Sequence, residues 1–173
     1  KKMRTLTDKP FGVNIAQAFV RDPAIVSFVI DQGVKFVTTS AGSPERYTSQ
    51  LKEAGLTVFH VVPSLAAALK AVECGVDGLI VEGSEGGGFK NPKDVATMVL
   101  LPLVRSKVTV PIIAAGGFVD GSSMVAACAC ACPGPCSFDS AERSIRRDRA
   151  DRTFGDRRAL RPGFVAARRC RFR

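Results

Sequence analysis

Five short apolar runs alternate with amphipathic stretches along most of this 173-residue chain, and this alternation restricts the possible folds more than any other feature. Each run is bounded by Gly, Pro or polar residues, as expected for a buried strand. Strands are predicted at residues 11–15, 34–39, 57–62, 76–81 and 110–115, and helices at 20–32, 43–55, 64–74, 92–107 and from Asp120 onward. Strands and helices in this order form a parallel sheet covered by helices, so the predicted class is α/β.

Two architectures satisfy this alternation, a doubly wound open sheet and a (β/α)8 barrel. A complete barrel uses eight strand–helix units and about 250 residues, whereas five strands are recognised here. The chain is therefore either an open sheet or part of a barrel, and periodicity alone does not choose. Both architectures place the functional site at the carboxyl ends of the strands. Asn14, Ser40, Gly83 and Gly116 stand at or just after those ends.

Composition narrows the functional classes. Hydrophobic residues make up 46% of the chain, which is enough for a buried core and excludes a wholly disordered or fibrous protein. No run of about 18 apolar residues is present, so we predict no membrane-spanning helix. The first residues, KKMRTLTD, contain no apolar signal-peptide segment, so a cytoplasmic location is expected.

Residues 129–173 differ in composition from the rest of the chain. From residue 133 onward, twelve Arg, no Lys and five acidic residues carry +7 of the net charge of +9. Clustered Arg is typical of a nucleic-acid-binding arm, but such arms usually mix Lys with Arg and interleave aromatic residues. Arg, Ala, Pro, Gly and Cys together are what GC-rich codons encode out of frame. We therefore predict an irregular Arg-rich tail that is disordered or out of frame, with nucleic-acid binding disfavoured.

Four cysteines lie close together in the sequence, at Cys128, Cys130, Cys132 and Cys136. Zinc sites usually combine pairs spaced by about two to four residues with a second pair or a His nearby, and neither accompanies these cysteines. The spacing therefore predicts no metal site. Disulfides are not expected in a cytosolic protein.

Three segments, taken together and in order, resemble the nitronate monooxygenase family, also called 2-nitropropane dioxygenases. They are residues 9–14 (KPFGVN), 75–88 (GVDGLIVEGSEGGG) and 111–118 (PIIAAGGF). Flavin-dependent enoyl-acyl-carrier-protein reductases look similar over the same segments. The resemblance covers residues 5–128 and implies an FMN-binding TIM barrel, with a strand and helix expected before Lys1 and two strands after residue 128. It divides the chain into an incomplete FMN-binding domain, 1–128, and a Cys/Arg/Pro-rich tail, 129–173.

The resemblance also implies which residues bind the flavin. Gly116 and Gly117 correspond to phosphate-binding glycines, whose amides can approach an anion closely because glycine has no Cβ. Gly87 and Gly88 fall in the loop whose backbone lies along the flavin, and Asn14 matches an Asn that contacts it. Without the resemblance, these residues are interpreted as turns, a cap or a surface linker.

The sequence departs from the family pattern at two positions. Glu82 stands where the family usually has Gln beside the flavin ring, and a carboxylate there is unfavourable beside reduced flavin unless burial raises its pKa. Phe89 occupies the position of a His that takes the α-proton of nitroalkanes in many members. Because Phe cannot accept a proton, the catalytic residue stays unassigned. His60 lies within a predicted strand, where a structural role is favoured.

The resemblance implies an FMN-dependent oxidoreductase that oxidises alkyl nitronates with O2. An enoyl-acyl-carrier-protein reductase is the first alternative, and an inactive chain with a nucleic-acid-binding tail is the second. The expected partners are a small-molecule substrate and O2, with no membrane. A barrel with too few strands leaves strand edges and interior side chains uncovered, so self-association is expected.

Overall fold

The computed structural model describes residues 2–88 and 95–131 and, as backbone, a short strand at Val165–Ala167. The helices are α1 (Lys2–Leu6), α2 (Ala24–Asp31), α3 (Thr48–Glu53), α4 (Leu65–Glu73), α5 (Thr97–Arg105) and α6 (Gly121–Ala131). The strands are β1 (Val13–Ala16), β2 (Phe36–Ser40), β3 (Thr57–Val62), β4 (Gly78–Glu82), β5 (Ile112–Ala115) and β6 (Val165–Ala167). Single-turn 3-10 helices at Gln17–Phe19 and Pro44–Arg46 follow β1 and β2.

The strand order distinguishes the two architectures that the sequence leaves open. Strands β1 to β5 are parallel, and each pairs with the next strand along the chain. Because crossovers between parallel strands are right-handed, adding every strand in the same direction puts every connecting helix on the same face of the sheet. A doubly wound sheet reverses its strand order instead. The predicted partial (β/α)8 barrel is confirmed.

Alternate residues of each strand lie on opposite faces of the sheet. One set packs with the helices in a single apolar core, which includes Val37, Val58, Leu79, Val81 and Ile112 from the strands and Val26, Leu51, Ala68, Leu101 and Ala127 from the helices. The other set faces the interior side of the barrel wall. It includes Phe36 and Phe59, whose ring centroids are 5.2 Å apart. The two sets determine which strand residues can reach an active site at the barrel mouth.

Local signals explain where individual elements begin and end, as α4 illustrates. The Ser64 hydroxyl accepts a hydrogen bond from the Ala67 backbone N–H at 3.2 Å and so caps the first turn of the helix. Gly75 follows the helix with a φ of +82°, a left-handed conformation that glycine adopts readily. These two residues set the helix at the length that the sequence predicts.

Several elements differ from the sequence-based expectations. α1 and the 3-10 helix at Gln17–Phe19 were not predicted, and α6 continues to Ala131, past the expected domain boundary at residue 128. In the tail, β6 pairs antiparallel with β5, so a three-residue strand interrupts the part expected to be irregular. The other tail residues from 132 onward lie outside the described residues. Among the helices that the structure describes, none is long and apolar enough to cross a bilayer.

Candidate active site

The loops that follow β4 and β5 contact one another at the carboxyl edge of the sheet. Glu82 and Ala115, the last residues of the two strands, are register partners, so the loops start side by side. Gly116 has a φ of +92°, and a Cβ added there would lie 2.9 Å from the backbone nitrogen of Gly86. Both its conformation and this close approach therefore require glycine at position 116.

Thr97, the first residue of α5, joins the two loops to the helix. Its side chain is 1% exposed. The hydroxyl oxygen accepts a hydrogen bond from the Gly83 backbone N–H at 3.1 Å. It lies 2.9 Å from Glu85 Oε2 and 3.2 Å from the Ala115 carbonyl oxygen, two acceptors for its single proton. One buried hydroxyl thus links the end of β4, the glycine-rich loop that follows it (residues 83–88) and the end of β5.

Glu85 anchors the glycine-rich loop to the start of α5. Its Oε2 accepts a second hydrogen bond, from the Thr97 backbone N–H at 2.9 Å. The residue before the helix, Ala96, has no side-chain acceptor, so Glu85 supplies the missing cap from outside the helix. The hydrogen bond from the Thr97 backbone is the main reason why the pKa of Glu85 lies below its usual value. Glu85 is therefore a carboxylate with a structural role.

Glu82 is in the opposite electrostatic situation. Leu79 and Val81 on the same strand face the helices. Glu82 directly follows Val81, so its side chain points to the opposite face, the interior side of the barrel wall. The side chain is half-buried, and its Oε1 lies close to Gly86, where an added Cβ would come within 2.2 Å of it. Burial raises the pKa of Glu82 above its usual value of 4.5. The pKa values of Glu82, at the end of β4, and of Glu85, in the loop after it, are thus shifted in opposite directions.

Asn14 also lies on the interior side, on β1. Its Oδ1 accepts a hydrogen bond from the Thr38 hydroxyl at 2.9 Å and a longer one from the Ser40 hydroxyl at 3.4 Å. Asn14 and Thr38 are register partners, so the parallel pairing of β1 with β2 fixes the orientation of the amide group. These hydrogen bonds go to β2, and no hydrogen bond within the described residues connects Asn14 to the loops after β4 and β5.

The glycine-rich loop and the Gly116–Gly117 turn present backbone without side chains at the carboxyl edge of the sheet. A Cβ added at Gly87 or Gly88 would meet no atom of a described residue within 4 Å, whereas one at Gly117 would lie 3.3 Å from Glu85 Cβ. Bare backbone therefore borders open space beside the contact between Gly86 and Gly116. Backbone of this kind accommodates a phosphate or a flat ring at close range, so the residues fit FMN.

His60 lies away from this region. It pairs in register with Thr39, its Nδ1 lies 2.7 Å from the Thr39 hydroxyl, and its side chain is 3% exposed. His60 lies two residues from both Val58 and Val62, so its side chain is on the same face of β3 as theirs, the face that packs against the helices. Burial is the larger effect and lowers the pKa of His60 below its usual value of 6.5. A hydrogen bond with the Gly42 backbone acts in the opposite direction and raises that pKa. His60 is a neutral, hydrogen-bonded side chain within the barrel wall.

The turn after β2 contains two unusual features that the sequence did not indicate. Ala41 has a φ of +52°, a conformation that costs roughly 1–3 kcal/mol for a residue with a Cβ. The neighbouring Gly42 packs on Gln17, whose Oε1 would lie 2.4 Å from an added Cβ. Gln17 is 2% exposed, and neither of its amide atoms has a hydrogen-bond partner among the described residues. This turn therefore stores strain at the carboxyl end of the sheet.

The predicted site residues fall into two groups. Gly87, Gly88, Gly116 and Gly117 lie in the two loops that contact one another, with Glu82 at their base. Asn14 is placed on β1, apart from them. Phe89, which stands at the family's proton-acceptor position, lies outside the described residues, as do Cys132 and Cys136.

Sequence reasoning missed Thr97 as the residue that joins these loops. A single Thr at the start of a helix gives no signal of a contact with two distant strand ends. Nor does Glu85 give a signal of its capping role. It precedes Thr97 by twelve residues, whereas the capping residues that a sequence pattern reveals lie within about three residues of each other. The contact arises from the tertiary structure alone.

Comparison with known proteins identifies the family. The family profile for nitronate monooxygenase matches residues 16–134. A nitronate monooxygenase of Paraburkholderia phytofirmans is 26% identical over 175 residues, covering 75% of this chain and 48% of that protein. A Rhodococcus jostii protein, (3aS,4S,5R,7aS)-5-hydroxy-7a-methyl-1-oxo-octahydro-1H-indene-4-carboxyl-CoA dehydrogenase, is 40% identical over 128 residues, covering 74% of this chain and 36% of that protein.

A solved structure agrees with the sequence comparison. FabK from Thermotoga maritima superposes with a TM-score of 0.68 at 41% identity, covering 75% of this chain and 41% of that one. The chain thus spans less than half the length of each of these relatives. The profile match nevertheless covers most of the chain, including β2 to β5 and both loops of the candidate site. This chain belongs to the nitronate monooxygenase family.

Proposed function

We propose that this chain carries part of the active site of an FMN-dependent oxidoreductase that oxidises anionic alkyl nitronates with O2. The observation that carries the proposal is the contact between Gly86 and Gly116 beside the bare backbone of Gly87. Two loops at the carboxyl ends of neighbouring parallel strands form this arrangement, and active sites of barrel enzymes lie at that end. Bound FMN would accept electrons from the substrate and pass them to O2.

Gly116 and Gly117 are the proposed phosphate-binding residues, and Gly87 and Gly88 the residues along the flavin ring. Glycine at these positions leaves the backbone N–H groups accessible. The first turn of α6 is capped by Asp120, whose Oδ1 accepts a hydrogen bond from the Ser123 N–H at 2.8 Å. A phosphate would therefore be bound by the turn before α6 and not by the helix terminus itself. Asn14 is proposed to contact the flavin from β1.

The preference for an anionic substrate follows from the lack of a base at the usual position. Phe89 stands where many family members have a proton-accepting His, and the side chain of His60 faces the helices. A nitronate has already lost its α-proton, so its oxidation needs no general base. A neutral nitroalkane does need one. We therefore expect oxidation of nitronates and little oxidation of the corresponding nitroalkanes.

A second candidate function is the reduction or oxidation of an acyl thioester. Two similarities favour it. One is the 40% identity to a protein named as the dehydrogenase of an octahydroindene carboxyl-CoA, and the other is the 41% identity to FabK, an enoyl-acyl-carrier-protein reductase. Both identities exceed the 26% identity to the nitronate monooxygenase of Paraburkholderia phytofirmans. The same flavin site would serve this reaction, with a nicotinamide donor or acceptor in place of O2.

Three assays on the purified, FMN-loaded protein separate these functions. The first measures oxygen uptake with ethyl nitronate, the second oxygen uptake with nitroethane, and the third oxidation of NADH or NADPH with a crotonyl thioester. Oxygen uptake with the nitronate alone supports the proposal. Equal uptake with neutral nitroethane would contradict the argument from Phe89, and thioester-dependent turnover without oxygen uptake would establish the second candidate. A folded protein that binds no FMN would contradict both.

A further inference from the structure

We propose that the C-terminal strand β6 covers the pairing edge of β5 and thereby prevents this edge from binding a second copy of the chain. The pairing edge is the side of β5 that faces away from β4. The proposal gives a role to a segment in the part of the chain that was expected to be irregular. It does not depend on flavin binding.

The direction of β6 shows that it is not the next strand of the barrel. Strands β1 to β5 are parallel, whereas β6 pairs antiparallel with β5. All strands of a (β/α)8 barrel are parallel to their neighbours, so β6 occupies the edge at which a parallel strand would continue the barrel. The family profile ends at residue 134. Strand β6 therefore lies outside the part of the chain that matches the family.

The pairing of β4 with β5 identifies which backbone groups of β5 face β6. The Leu79 N–H donates to the Pro111 carbonyl at 2.9 Å, and Leu79 is the register partner of Ile112. In a parallel pair with this register, Ile113 directs its N–H and C=O groups toward β4. Successive residues of a strand direct these groups to opposite edges. Ile112 and Ala114 therefore direct their N–H and C=O groups toward β6.

Without β6, these groups would form an open edge to which another strand can add. The β5 edge of a second copy fits there, because two copies of one strand pair antiparallel about a two-fold axis. Strand β6 makes an antiparallel pairing of the same kind within one chain, and it also contacts α6, the helix that follows β5. Because β6 belongs to the same chain, its effective concentration exceeds that of a second copy.

Two proline variants of β6 test the proposal, because Pro has no backbone N–H. Ala167 pairs with Ile112, so its N–H faces β5, whereas the N–H of Ala166 faces away. Ala167→Pro therefore removes a hydrogen bond to β5. Ala166→Pro is the matched control, because an edge strand accepts Pro where the N–H points away from the sheet.

Amide hydrogen exchange, followed by NMR, measures how well β6 covers the edge. We expect the Ile112 and Ala114 amides to exchange at least about fivefold faster in Ala167→Pro than in the wild type, the change that corresponds to one net hydrogen bond. Their exchange in Ala166→Pro should equal that of the wild type. Unchanged exchange at Val58, a core residue of β3, shows that a variant keeps the fold.

Sedimentation velocity over a range of protein concentrations reports the binding of a second copy. Ala167→Pro should associate at lower concentrations than the wild type and Ala166→Pro. Any association through β1, the opposite edge of the described sheet, is common to all three proteins. An excess of the peptide PGFVAARR, residues 162–169, should reverse the added association by pairing with β5. The same peptide carrying the Ala167→Pro substitution should not.

Each part of the proposal has a result that would overturn it. Equal exchange of Ile112 and Ala114 in the wild type and Ala167→Pro would show that β6 does not cover the edge. Faster exchange without stronger association would show that the edge does not bind a second copy, and equal effects of both prolines would contradict the register. If Ala167→Pro does not fold, the wild type still decides. Its NMR spectrum should contain a cross-strand NOE between the Hα atoms of Ile113 and Ala166, and absence of this NOE would refute the pairing.

Discussion

Replacing Thr97 by Val removes the hydroxyl that links the two site loops and leaves the shape of the side chain almost unchanged. The Gly83 N–H then loses its acceptor, and Glu85 and the Ala115 carbonyl lose their shared donor. The backbone hydrogen bond from the Thr97 N–H to Glu85 is retained. The substitution thus tests the hydroxyl separately from the helix cap.

The expected loss of stability follows from these contacts. A net hydrogen bond contributes about 1 kcal/mol, and an unpaired buried donor costs roughly 1–3 kcal/mol. Thr97 is almost fully buried, so water cannot easily replace the hydroxyl. Losing one accepted and one donated hydrogen bond should therefore lower the free energy of unfolding by about 2–4 kcal/mol. Thr97→Ser keeps the hydroxyl and loses one methyl group, at a cost of about 1 kcal/mol.

Urea unfolding followed by circular dichroism measures both variants against the wild type. The result expected is a clearly lower unfolding midpoint for Thr97→Val than for Thr97→Ser, with equal slopes that show equal exposure of surface on unfolding. If Thr97→Val is as stable as Thr97→Ser, then the hydroxyl contributes no more than the methyl group, and the estimate of about 2–4 kcal/mol from the hydrogen bonds is wrong.

Two further predictions concern Gly116 and His60. Gly116→Ala should lose roughly 1–3 kcal/mol of stability, because its φ is positive and its Cβ would contact Gly86. Gly121→Ala is the control, because an added Cβ there meets no described atom within 4 Å, and it should be neutral or slightly stabilising in the same urea titration. The pKa of buried His60 is lower in the folded protein than in the unfolded chain, so below pH 6.5 the unfolded chain binds a proton more readily. The free energy of unfolding of the wild type should therefore fall as the pH drops below 6.5, and His60 can contribute at most about 1.4 kcal/mol per pH unit to this fall. His60→Gln should remove that part of the pH dependence, and an unchanged slope would show that His60 is not responsible.

Strands β1 to β5 could be predicted from the sequence because each apolar run is bounded by Gly, Pro or polar residues, whereas β6 was not predicted. β3 was predicted at its observed bounds of 57 and 62. The start of β4 was placed two residues early, at 76, because Val76 is apolar and buried without belonging to the sheet. Burial determines the hydrophobic pattern, whereas strand pairing determines the bounds of the strand.

Periodicity could not choose between a barrel and an open sheet, since both have the same alternation of strands and helices. The difference lies in which strands are neighbours, a property of the tertiary structure. The resemblance to a known family resolved the choice because residues 75–88 and 111–118 match that family in order and spacing.

The candidate site was only partly predictable. Glycines after strands indicate only turns or linkers, and Gly87 and Gly116 could be selected as flavin-binding residues because the resemblance assigns that role to their segments. The pKa of Glu82 could be stated only as a condition, since it depends on how far the side chain is buried. The roles of Thr97 and Glu85 could not be predicted, because their hydrogen bonds join residues from different parts of the chain through the fold.

FMN binding to the Gly87→Val variant tests the central claim most directly. An added Cβ at Gly87 meets no atom within 4 Å among the described residues, so the substitution should leave the unfolding midpoint unchanged while filling the space proposed for the flavin. Fluorescence titration with FMN should show saturable binding by the wild type and a weakening of at least about tenfold in Gly87→Val. Equal FMN affinity in both proteins, or no binding by the folded wild type, would contradict the claim that these loops form a flavin site.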